Sequence, residues 1–186
     1  GGIEYARDMP YPASGLEGHL LRVPLLGVSA GLGSIAEIQV DGLSYDRLTI
    51  TERGDAPLSG MLTATGDSTS SVEDLVLGTK IRIVPEGMSR PSIGVRFATR
   101  LPNASNESGL GLDTTDFFGL VLVRKTVQCV GVVTNVGPGI LGDPTGGDGQ
   151  NDVLTYGVSF ARALTQAAEV VGEVNGHIHT RAGDAP

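Results

Sequence analysis

Apolar and polar residues alternate along most of this chain. From Asp74 to Val84, one side carries Leu75, Leu77, Thr79, Ile81 and Ile83, and the other Asp74, Val76, Gly78, Lys80, Arg82 and Val84. Ile93, Val95, Phe97, Thr99 and Leu101 alternate in the same way with Ser92, Gly94, Arg96, Ala98 and Arg100. Weaker versions occur around Ala36–Asp41, Cys129–Val136, Leu154–Ala161 and Ala167–Asn175. Successive side chains of a strand point to opposite faces, so a period of two predicts strands with one greasy face and one small or charged face. The pattern predicts about nine strands, near residues 2–8, 18–30, 35–50, 72–84, 92–101, 115–125, 127–137, 152–163 and 166–178.

The connections follow a second rhythm. Long polar stretches at Met9–Glu17, Thr51–Ser71, Pro102–Thr114 and Pro138–Asn151 alternate with short turns near Gly31–Ser34, Pro85–Pro91, Lys125–Val127 and Leu164–Gln166. In an antiparallel up-and-down meander, alternate connections lie at opposite ends of the sheet. All long loops then fall on one rim and all short turns on the other, as in outer-membrane barrels. A soluble β-sandwich or lipocalin-like binding module also alternates, but points its greasy face inward. Predicted strands of about 10 to 13 residues exceed the roughly 5 to 6 usual in soluble sheets, which favours the membrane arrangement.

Composition narrows the classes. The chain has 186 residues, 28 of them glycine, with 40% apolar residues and no tryptophan. That much glycine disfavours helices, while the apolar share is too high for simple disorder. With 13 basic and 21 acidic residues the formal net charge is 13 − 21 = −8, and no basic stripe offers itself to nucleic acid. No apolar run reaches the roughly 18 residues of a spanning helix, which leaves spanning strands open. The single cysteine, Cys129, cannot form an internal disulfide and is expected to be a small buried hydrophobe.

Several short motifs invite chemical readings. Gly27-Val28-Ser29-Ala30-Gly31 fits G-x-S-x-G, but a nucleophilic Ser29 needs a helix after the strand, and an alternating segment follows instead. An esterase is therefore the weakest alternative. Gly137–Gly142 fits G-x-G-x-x-G, yet Asp143-Pro144 and the glycines beyond forbid the helix a dinucleotide requires. Asp143, Asp148, Asn151 and Asp152 offer hard oxygen ligands that weakly suggest calcium. His177 and His179 share a strand face, but neither they nor His19 have an evident third ligand. No catalytic residue and no cofactor is expected.

Four longer stretches carry a family resemblance: residues 72–84 (VEDLVLGTKIRIV), 94–118 (GVRFATRLPNASNESGLGLDTTDFF), 141–164 (LGDPTGGDGQNDVLTYGVSFARAL) and 169–177 (EVVGEVNGH). Together they resemble the bacterial outer-membrane β-barrel transporter family linked by name to the meta-pathway of phenol degradation. The resemblance covers most of the chain from about Leu20 onward. It implies a barrel of about twelve strands in the bacterial outer membrane, in contact with lipid, passing small solutes, aromatic ones included. On that reading residues 1–186 are a single all-β, antiparallel barrel segment, an incomplete transmembrane β-barrel. It would lack a signal peptide, the N-terminal start and the closing strands at the C-terminal end. The aromatic girdle would comprise Tyr5, Tyr11, Tyr45, Phe117, Phe118 and Tyr156.

The charged faces supply the candidate site. Lys80, Arg82, Arg96 and Arg100 share a side with Glu37, Gln39, Asp41, Asp74, Glu169, Glu173 and Asn175. Inside a barrel such groups either pair off and plug the lumen, or line a charged constriction. The two expectations are a solute channel and a structural barrel with a plugged lumen and binding loops.

Overall fold

The computed structural model describes residues 1–145, 150–166 and 168–179. Among them it is all-β and antiparallel, with a single 3-10 turn at Ser59–Met61. Twelve strands form two sheets. β1 (Gly2–Tyr11), β2 (Leu16–Leu25), β5 (Tyr45–Arg53) and β6 (Ser68–Val72) make a four-stranded sheet in the order β1-β2-β5-β6. The other strands are β3 (Val28–Leu32), β4 (Ala36–Asp41), β7 (Leu75–Val84), β8 (Ser92–Leu101), β9 (Asp116–Val127), β10 (Val130–Gly142), β11 (Gln150–Ala163) and β12 (Glu169–His179). They make an eight-stranded sheet in the order β12-β11-β10-β9-β8-β7-β4-β3.

The nine expected strands and the twelve observed ones describe nearly the same path. β2 runs on into β3, β4 into β5 and β6 into β7, each pair separated by two or three residues at one common level. The ladder hydrogen bonds continue across this seam: Leu43 N donates to Leu26 O at 3.4 Å, and Glu73 N to Ser44 O at 3.1 Å. What breaks the strands is local. Gly42 adopts φ +87°, and a Cβ there would lie 2.0 Å from the Asp74 carbonyl oxygen. Pro24 has no N–H to give to a ladder. A Gly42→Ala variant meets both a left-handed backbone and a backbone overlap, so a loss of at least about 2 kcal/mol is expected. Urea unfolding should show a lower midpoint at unchanged slope.

Register fixes the faces. On the eight-stranded sheet, Val40, Leu77 and Thr99 stand in one row, and Val121, Val136 and Tyr156 in another. All belong to the outward set. Seventeen large apolar side chains of this face are between 39% and 69% exposed, among them Phe97, Val121, Val136, Phe160 and Val174. No second layer covers them among the described residues. The buried core lies elsewhere, on the inner face of the four-stranded sheet, where Leu16, Leu20 and Leu48 pack with Ala6, Met9, Tyr11, Ile50, Leu62 and Leu110. Each fully buried leucine contributes about 1.5–3 kcal/mol.

The loops explain that core. The connections 54–67 and 102–115 fold over the inner face of the four-stranded sheet and bury Leu58 and Ala104. They are tied to it by Ser14 Oγ donating to Gly109 O (2.8 Å), Thr69 Oγ1 to Ser108 O (2.8 Å) and Leu58 N to Ala13 O (2.9 Å). On the opposite rim lie the turns 33–35, 85–91, 128–129 and the one that begins at 164–166. Long connections at 54–67 and 102–115 alternate with short ones as the sequence predicts, but 12–15 is brief because β1 reaches Tyr11, and β10 runs on to Gly142, into the stretch expected as a fourth long loop.

Other expectations need correction. Gly137-Pro138-Gly139 lies inside β10 rather than in a loop. Gly137 is placed against β9, where a Cβ would overlap the Gly119 carbonyl oxygen at 1.9 Å. The β9–β10 turn is Gln128-Cys129, with Gln128 at φ 56°, so Cys129 is exposed rather than buried. Tyr11 packs against the core, and Phe118 faces inward opposite Gly139, so neither joins an outer girdle.

Candidate functional site

The charged set expected from the sequence falls on the inner face of the eight-stranded sheet. Register places Glu37 beside Lys80, and Lys80 beside Arg96. Glu37 Oε2 stands 3.6 Å from Lys80 Nζ, Gln39 Nε2 donates to Glu37 Oε1 at 2.7 Å, and Arg96 Nε donates to Gln39 Oε1 at 2.9 Å. Arg82 donates to the Ser34 carbonyl. Small neighbours make this crowding possible: a Cβ on Gly78 would meet the Arg96 guanidinium at 3.2 Å, and one on Gly157 the Asn135 amide at 2.8 Å. The alternation of small and charged residues thus has a steric reason.

These groups line a cavity of about 760 Å³ that is also touched by Gly31 at one end of the sheet and Glu173 on β12 at the other. Flat, six strand spacings would separate β4 from β12 by about 29 Å. One cavity touching both ends therefore fits a curved sheet with its charged face on the concave side. Glu173 accepts from Asn175 Nδ2 at 2.9 Å. The edges β3 and β12 are not hydrogen-bonded to one another.

Not all the expected residues gather there. Asp74 sits at the seam, where its Oδ1 accepts from Asn103 N (3.1 Å) and Ala104 N (3.0 Å) and so anchors the start of loop 102–115. Arg100 joins it, 3.8 Å from Asp74 and 2.5 Å from Asp116. Asp116 is 1% exposed and also accepts from Gly142 N at 3.0 Å. Asp41 shares the inner face, opposite Val76, and Glu169 lies at the start of β12 opposite Ala163.

Sequence reasoning missed a second network at the seam. Arg22 donates from Nε to Asp46 Oδ2 at 2.9 Å and from Nη1 to Glu4 Oε2 at 3.3 Å, with Glu73 Oε1 at 3.9 Å. Ser44 Oγ bonds Glu73 Oε2 at 2.6 Å and Asp46 Oδ1 at 3.1 Å. Arg124 and Glu86 were missed too, and both line the cavity. Glu86, in the β7–β8 turn, accepts Thr126 N at 2.7 Å and Thr126 Oγ1 at 3.3 Å. The backbone bond, foremost, holds its carboxyl below the usual range. Such a depressed carboxyl stabilises the fold above its unfolded pKa of about 4.3 and loses that contribution as pH falls through the lower folded value. The stability difference between the native chain and Glu86→Gln should therefore be flat above about pH 5 and shrink in more acidic buffer, as read by thermal midpoints.

The remaining motifs find plain positions. Ser29 lies within β3 opposite Gln39, with no helix after it. His177 and His179 make an edge-to-face ring contact at 5.4 Å. Among the described residues no three His, Cys, Asp or Glu side chains gather as a metal site. Of the loop read as a calcium candidate, Asp148 lies outside the described residues, and Asp143 Oδ1 accepts from Thr145 N (2.8 Å) and Thr145 Oγ1 (2.6 Å). Asp152 stands in β11 opposite Ile140.

The outward face has sharp limits. On β11, charged Asp152 and Arg162 bracket Leu154, Tyr156, Val158 and Phe160. On β9, Lys125 interrupts the apolar row before Val127, and its Nζ reaches the Gly87 and Met88 carbonyl oxygens at 2.7 and 2.9 Å. Across the seam the apolar row continues through Ile3, Val23, Tyr45 and Val72, then gives way within four residues to Arg7, His19, Thr49 and Ser68. Tyr5 marks the change, with the Arg7 guanidinium 6.0 Å from its ring. Comparison with family models, curated proteins and solved structures gave no match.

Proposed function

We propose that this chain is part of a bacterial outer-membrane β-barrel whose charged inner face lines an aqueous path for small solutes, without covalent chemistry by the protein. One observation carries the reading: large apolar side chains exposed on one face of a curled sheet whose other face is charged and encloses a cavity. Water would penalise that outward face, because contiguous exposed apolar patches of such size are rare on soluble monomers. Lipid favours it.

The dimensions agree with a bilayer. Asp152 and Arg162 are ten residues apart, about 33 Å of strand at 3.3 Å per residue. At a tilt of about 40°, the apolar stretch between them is about 25 Å tall, the height of the lipid-facing band in such barrels. Tyr5 and Tyr45 occupy the level where interfacial aromatic residues stand. Free edges at β3 and β12 call for closure by pairing with one another or with further strands. The soluble sandwich or lipocalin-like module would need a second layer over Phe97 and Val121.

A plugged barrel is favoured by a different observation, the apolar packing of loops 54–67 and 102–115 on the inner face of the four-stranded sheet. Ion conductance in planar bilayers separates the two. Stepwise current from the purified protein supports an open path. Insertion into lipid without current supports the plug, and failure to associate with lipid overturns the membrane reading.

A further inference from the structure

Among the described residues, four cations have carboxylate partners: Arg22, Lys80, Arg100 and Lys125 each lie within 4 Å of one. Three arginines of the inner cavity do not. Arg82 bonds a backbone carbonyl, Arg96 bonds the Gln39 amide, and Arg124 has no carboxylate within ion-pair distance among the described residues. They stand on three neighbouring strands, β7, β8 and β9, with Arg82 opposite Gly94 and Arg124 opposite Ser92. All three side chains line the one cavity.

We infer that Arg82, Arg96 and Arg124 form a binding site for a small carboxylate with an apolar body. A guanidinium offers a planar fork of donors that matches a carboxylate, and three on one wall compete for it without having to break an internal ion pair. The apolar part of the ligand has its own wall. Leu122 and Val133 line the same cavity, and Val133 stands directly opposite Arg124 across the β9–β10 ladder. Glu37, Glu86 and Glu173 line the cavity too, but Glu37 is paired with Lys80 and Glu86 with Lys125, which leaves the arginines as its cations without a carboxylate partner among the described residues. The site selects against the chain's own net charge of −8, which would otherwise disfavour anions.

The inference rests on the charged inner face being an aqueous path, and its test separates the two claims. Benzoate is the probe, with benzyl alcohol as its neutral counterpart, titrated into the detergent-solubilised protein while the thermal midpoint is followed. Benzoate should raise the midpoint, benzyl alcohol should not, and the Arg96→Gln/Arg124→Gln variant should lose the benzoate effect when each protein is compared with its own ligand-free midpoint. In planar bilayers under a potassium chloride gradient, the reversal potential should indicate anion preference, reduced at least threefold in the same variant. Equal response to benzoate and benzyl alcohol, or an unchanged response in the variant, overturns the site. Benzoate binding without any current retains the site and overturns the path.

Discussion

Replacing Phe97 with lysine should abolish most stable insertion into lipid. Phe97 is 58% exposed near the middle of the outward face, between Thr79 on β7 and Gly119 on β9. A lysine at the midplane of a barrel's lipid face costs about 2–4 kcal/mol. At about 1.4 kcal/mol per tenfold, that is a loss of roughly 30-fold to nearly 1,000-fold in the folding equilibrium. Urea titration of folding into phosphatidylcholine vesicles measures it. Thr49→Lys, on the polar stretch of the four-stranded sheet's outer face, should stay within about 0.5 kcal/mol of the native chain. If Phe97→Lys instead improves solubility at no cost in stability, the face meets water and the barrel reading falls.

The second large effect belongs to the seam. Arg22→Met would leave Asp46, which is 4% exposed, beside Glu4 and Glu73 with no cation in reach. Removing one partner from a buried ion pair costs about 3–5 kcal/mol, because the charge left behind is desolvated and unpaired. Arg22 is itself partly exposed, so the lower end of that range is expected. Adding Asp46→Asn should recover part of it at neutral pH, and a double-mutant cycle on chemical denaturation midpoints reads the coupling. An Arg22→Met variant as stable as the native chain would show that the network does not hold the seam.

Much of this architecture was legible because period two is a strong signal when the two faces differ. On β7 and β8 every second residue but Thr79 and Thr99 is apolar, and the inner set of Lys80, Arg82, Arg96 and Arg100 follows directly. Where both faces are apolar the signal fails. Arg124 was hidden because Leu120 and Leu122 share its side of β9, opposite Val121 and Val123, so the phase could not be assigned. The Arg22 network was hidden by bulges: the register shifts between Ala6 and Met9 and between Glu17 and Gly18 reset the alternation. The seam itself turns on one dihedral angle at Gly42 and on hydrogen bonds between strands distant in sequence, neither of which composition encodes. Loops 54–67 and 102–115 read as polar connections, yet Leu58, Leu62 and Leu110 carry them onto the core. Isolated leucines among serines and glycines give no periodicity to detect.

The tight β9–β10 turn has a practical consequence. Its Cys129 is the chain's single thiol and is exposed, on the rim that carries the other brief connections. The native sequence thus holds one chemical flag marking one end of the molecule. On the membrane reading proposed above, a membrane-impermeant maleimide added to sealed vesicles would reach it from one compartment alone, so the side that labels reports which way round the chain is threaded.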